Sequence, residues 1–216
     1  MRGRLYRLLA AGFSRPVPAA VAWLAKAAGG LPPLEMALGM TRLDGPWRSL
    51  AGSLSEWSGR SPPEVAAELM QEYQRLFAGP YRVEAPPYES CYRGPGRAVM
   101  GEAAVEVLRS YAEAGVALHP GVRDLPDHIA LELEFLAHLA AAEAGHWRRR
   151  ERSRLAACLE REERFLGEHL LRWIAPFAAR VAAATRCPFY PALAAAAAAY
   201  ATADRGLVSA LRETLG

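Results

Sequence analysis

Alternating runs of β-branched residues are almost absent from this 216-residue sequence, so half-buried strands have little to form from and an all-α fold follows. Cysteine is scarce: Cys91, Cys158 and Cys187 stand far apart and in no Cys-x-x-Cys pair. That argues against a disulfide framework or a structural zinc site and points to a reducing compartment. Lysine occurs once, at Lys26, and genome composition explains the arginine bias as well as function does. The 26 basic residues are interspersed with 23 acidic ones for a net charge of +3, with a pI near 8.9. This falls short of the basic footprint of a dedicated nucleic-acid binder. No run approaches the roughly 18 apolar residues of a membrane span. At the N-terminus Arg7 interrupts the apolar run and Arg15-Pro16 ends it, which suits a first amphipathic helix better than an export signal. No Gly-rich phosphate loop, nucleophile elbow or Cys-His-Asn order is visible.

What is present is helix-forming sequence, 52% hydrophobic and able to fill a sizeable core. Prolines and glycines punctuate it into helix-length pieces at 3–13, 17–28, 33–39, 46–57, 62–78, 98–115, 126–145, 150–166, 167–184, 189–203 and 205–214. Ser61-Pro62-Pro63-Glu64 supplies an N-cap, a proline at the first helical position and an acidic first turn. With no internal repeat and no long flexible linker, residues 1–216 are expected to form one domain, a globular bundle of about ten helices.

Two segments stand apart from this background. Residues 85–94, Ala-Pro-Pro-Tyr-Glu-Ser-Cys-Tyr-Arg-Gly, cannot be helix because each proline removes an amide donor and restricts its predecessor. They form an ordered or partner-facing loop. The helix expected at 126–145 carries Ile129, Leu133, Leu136, Ala137, Ala140 and Ala144 on one apolar face. Asp127, Glu134 and His138 line a second stripe, and His128, Glu132, Glu143 and His146 a third, with Leu131, Phe135, Leu139 and Ala142 between them. A dry back and a mixed front suit a groove for an apolar peptide that carries arginines. The alternative is a helical-bundle metal-binding protein or enzyme using the His and Glu residues of 126–146, since Glu143-x-x-His146 has the spacing of a di-iron bundle. Arg148 to Arg154 could bind phosphate, but the neighbouring acids make it a solvated helix junction.

Together, "YQRLFAGPYRVEAPPYESCYRG", "LPDHIALELEFLAHLA" and "FLGEHLLRWIAPFAARVAAATRCPFYPALA" closely resemble the TorD/DmsD/NarJ family of redox-enzyme maturation chaperones, and "RLYRLLAAGFSRP" resembles its first helix. The resemblance implies a TorD-like, cytoplasmic, all-helical chaperone with no reaction and no cofactor of its own. Its implied partner is a molybdenum-cofactor oxidoreductase, met through the catalytic subunit or its twin-arginine signal peptide and held until the cofactor is inserted. The implied peptide-binding residues are Tyr73, Leu76, Phe77, Pro86, Pro87, Tyr88, Asp127, His128 and Glu132. Members can exchange helices between protomers, so a homodimer of that kind is open, and the sequence does not name the client.

Overall fold

Helices account for most of the computed structural model, which describes residues 1–28, 44–79, 83–93 and 101–215. They are α1 (Arg2–Phe13), α2 (Pro18–Ala28), α3 (Asp44–Ser55), α4 (Pro62–Tyr73), α5 (Glu102–Glu113), α6 (Ile129–Arg149), α7 (Arg152–Phe165), α8 (Leu171–Ala184) and α9 (Phe189–Leu215). The helix expected at 33–39 lies outside the described residues. Among those residues there is no strand, only an isolated antiparallel bridge between Tyr88 and His128.

Several boundaries follow from local chemistry. Ser61 precedes α4 in extended conformation, and Pro62 then starts the helix without the amide hydrogen it could not have bonded anyway. Arg150 ends α6 at φ 57°, a left-handed conformation in which its backbone N–H reaches back to His146 and Trp147. Glu151 then accepts from His146, Arg149 and Arg154, so the basic run closes on itself as the junction between α6 and α7.

Two junctions depart from expectation. The helices expected at 150–166 and 167–184 are continuous through a π-helical turn, Leu166–Leu170. Those expected at 189–203 and 205–214 form the single helix α9. Asp204 looks like a break because aspartate competes with helical backbone for hydrogen bonds. Here its carboxylate is spent on Arg2 and on the hydroxyl of Tyr6, and the helix runs on.

The chain divides into two compact units. The first comprises Met1–Ala10, Tyr88–Trp173 and Ala201–Gly216; the second, Ala11–Pro87 and Ile174–Tyr200. In the first, Phe135 lies 4.6 Å from Tyr111 and 4.7 Å from Phe165, ring centre to ring centre. The Tyr111 hydroxyl donates to Pro126 O at 2.8 Å, so the ring's polar end is satisfied. Leu155, Leu159 and Val208 form a smaller apolar cluster in the same unit. The second unit is built around Phe77, which meets Phe13, Tyr73, Phe177 and Tyr190 at 5.2–6.3 Å.

Candidate functional site

The residues implied by the resemblance divide between the two units. Tyr73, Leu76, Phe77, Pro86 and Pro87 belong to the second. There α4 ends in a second π-helical turn, Gln74–Ala78, whose wider ring breaks the regular i to i−4 bonding. Leu76 O accepts instead from Ala85 N at 2.9 Å, which ties the start of the proline loop to the turn. Tyr73, Leu76 and Phe77 are buried in the aromatic cluster, Pro87 is buried and Pro86 half-buried. One turn earlier, Glu72 accepts from Arg75, Thr185 and the Arg186 N–H. Burial alone would raise its pKa, but these donors together hold it below the usual carboxylate range.

Tyr88, Asp127, His128 and Glu132 belong to the first unit and surround the N-terminus of α6. His128 is the N-cap: its Nδ1 accepts from Ala130 N at 3.1 Å, so the neutral ring carries its proton on Nε2. Burial lowers the His128 pKa, against the opposing pull of Asp124 and Asp127. The Tyr88 ring stands edge-on to it, 5.2 Å away. Asp127 is fully buried and binds the loop twice, its Oδ2 accepting from Ser90 N at 2.9 Å and its backbone O from Glu89 N at 3.0 Å. Asp127 Oδ1 and Ser90 Oγ, both buried, find no hydrogen-bond partner among the described residues.

Glu132 accepts from the indole N–H of Trp173 at 3.1 Å. Burial, then the nearby Glu89 and Asp127, raise its pKa well above the usual range, which favours the neutral carboxyl. Glu89 is the better-bonded member of the pair. Its Oε1 accepts from Arg93, and its Oε2 lies 3.1 Å from His169 Nδ1. His169 Nε2 in turn lies 3.3 Å from Ser110 Oγ. Loop, helix start and π turn are thus joined by one buried polar centre.

This corrects the expected wet front of the helix. Phe135 and Leu139 are buried, Glu143 bonds Arg2 and Trp147, and the exposed stripe is Glu134, His138, Ala141 and Ala144. The apolar face holds as expected except at Ala144. A helix covered on most sides is a central element, and Glu132 and Glu143 find partners within the protein rather than in a groove. No group of three or more metal-capable side chains comes together among the described residues.

Glu89, Arg93, His169 and Trp173 are site members that sequence reasoning passed over. All four lie inside the three segments quoted above. A second buried centre was also missed. Arg2 bonds Glu143, Glu162 and Asp204, and Tyr6 donates to Asp204 at 2.7 Å. Three carboxylates face one guanidinium there, and burial pushes the Glu162 pKa up to about 7 despite the opposing pull of Arg2.

A family model described as nitrate reductase delta subunit matches residues 40–179. The chaperone protein TorD of Vibrio cholerae is 29% identical over 160 residues, which cover 73% of this chain and 69% of that protein. TorD of a Psychrobacter species is 26% identical over 179 residues, 83% of this chain and 78% of its own. The Tat proofreading chaperone DmsD of Haemophilus influenzae is 28% identical over 126 residues, covering 58% of this chain and 55% of DmsD. The crystal structure of a redox enzyme maturation protein from Archaeoglobus fulgidus shares the fold, with a TM-score of 0.50 and 20% identity over the whole of this chain and 93% of that one.

Proposed function

The chain belongs to the nitrate reductase delta subunit family of TorD-like redox-enzyme maturation chaperones, and from that premise we propose that it serves a molybdenum-cofactor oxidoreductase in the cytoplasm. It binds the enzyme's twin-arginine signal peptide, or the apoenzyme itself, until the cofactor is in place, and catalyses no reaction of its own. The observation that carries this reading is the family match, which spans the proline loop and the start of α6 and accompanies relatives named as the chaperone TorD and the Tat proofreading chaperone DmsD.

The buried centre supports a division of labour. Asp127, His128 and Glu132 act as a frame that fixes the loop 88–93 against α6, and half-buried Tyr88 offers the contact surface. A loop ordered in advance loses little conformational freedom when a peptide docks, which favours affinity. In the other unit Leu76 does the corresponding work by holding residue 85 to the π turn, and Tyr73, Phe77, Pro86 and Pro87 complete that part of the peptide-binding region. Because each unit draws on segments far apart in sequence, the whole chain 1–216 acts as one chaperone domain.

Calorimetric titration with twin-arginine signal peptides, each paired with a control in which both arginines are alanine, tests the proposal. Micromolar or tighter binding to one peptide, weakened in its control, is expected. Absence of binding to every signal peptide and to the apoenzyme bodies would overturn it.

A further inference from the structure

Resting on the reading that this chain grips a twin-arginine peptide, we propose that the outward face of α5 receives it. Carboxylates at the N-terminal end of α5 take the paired guanidinium groups, and the apolar stripe beside them takes the hydrophobic run that follows.

The outward face of α5 carries apolar residues as well as charged ones. It buries Ala103, Ala104, Val107 and Tyr111, and turns Val105 and Leu108 to solvent at 58% and 47% exposure. A single exposed valine or leucine is unremarkable. Two of them one turn apart make an apolar stripe that continues to exposed Ala112.

At 100° per residue, Glu102 and Glu106 lie about 60° and 100° round the helix from Val105, beyond Arg109, which borders the apolar stripe one turn further along. No ion pair reaches Glu102 among the described residues. Glu106 lies 3.6 Å from Arg93, whose nearer partner is the buried Glu89. Glu113, further along, is taken by Arg164. Negative charge available to a partner is therefore concentrated at the N-terminal end of the helix, while exposed Arg109 sits toward the other end.

That distribution selects the occupant and its direction. Two fixed positive charges followed by an uncharged apolar segment match it, with the arginines at Glu102 and Glu106 and the apolar run along Val105, Leu108 and Ala112. The reverse direction would set the arginines against Arg109. Glu132 and Asp127, by contrast, are fully buried and already bonded to Trp173 and Ser90.

The test uses the twin-arginine peptide that the full chain binds most tightly and its Ala-Ala control. Glu102→Lys/Glu106→Lys is expected to weaken the twin-arginine peptide about tenfold and to leave the control nearly unchanged. Val105→Ser/Leu108→Ser is expected to weaken both peptides by about tenfold. Arg109→Glu, a change at a single exposed position, is expected to tighten the twin-arginine peptide about threefold and keeps the proposal testable if a double variant unfolds. Wild-type affinity in all three variants overturns the α5 surface and leaves the chaperone reading standing. Failure of the wild-type chain to bind any twin-arginine peptide overturns this surface together with the signal-peptide reading.

Discussion

Trp173 donates its indole N–H to Glu132 at 3.1 Å, and neither side chain has any exposed surface. A buried carboxylate beside Glu89 and Asp127 would be costly, which favours the protonated form of Glu132 as a neutral polar strut between α6 and α8. Glutamine has the same shape and no charge. Glu132→Gln is therefore expected to stay within about 1 kcal/mol of wild type at pH 7, whereas Glu132→Ala strands the indole N–H beside a cavity and loses about 2–4 kcal/mol. Urea unfolding of both variants decides it, and equal losses would contradict a neutral Glu132.

The Arg2 centre gives a pH dependence with a defined sign. Glu162 titrates near 7 in the folded chain against an ordinary 4.5, so the folded state binds its proton more tightly than the unfolded state does. Its contribution is present in full below about pH 4.5 and is lost as pH rises to about 7, by about 3 kcal/mol in all. Glu162→Gln should flatten that part of the stability profile. An unchanged slope between pH 5 and 7 would exclude Glu162 as its source.

Removing the cation of that centre is a separate test. Arg2→Ala leaves Glu143, Glu162 and Asp204 facing one another without their shared guanidinium. The expected loss at pH 7 is about 3–5 kcal/mol, and it should shrink in acid as the carboxyls take up protons. Thermal unfolding at pH 5 and pH 7 measures both effects.

At the candidate site, Asp127 is the link from helix to loop. Asp127→Ala should cost about 1–3 kcal/mol and speed hydrogen exchange at the amides of Glu89 and Ser90, which bond to Asp127 in the native chain. Exchange at those two amides as slow as in wild type would mean that the loop is held by other contacts.

Glu72 shows the opposite pH sign. Its pKa is lowered, so its contribution is present above the ordinary 4.5 and is lost as pH falls below it. Glu72→Gln should remove that acid sensitivity and loosen the turn at 185–187, where Glu72 accepts from the Arg186 N–H and the Thr185 hydroxyl. Amide exchange at Arg186 reports the loosening.

Sequence alone determined the helical class, the breaks at Pro62 and in the proline loop, and the apolar face of α6, because these depend on neighbours within a few residues: a missing amide hydrogen, a fixed φ, a 3.6-residue period. The motif order was equally legible, and with it the family. What the polar stripes of α6 face was not. A helical wheel shows which side chains share a side, but not what covers that side. Trp173 comes to Glu132 from 41 positions away and Arg2 to Glu143 from 141 positions away, and only their arrival turns an apparent groove into a buried centre. The same reasoning applies to Asp204, a local helix breaker whose carboxylate is claimed by Arg2 across 202 positions, leaving α9 unbroken. Long-range partners are matched by tertiary packing, and that decision is taken only when the chain folds.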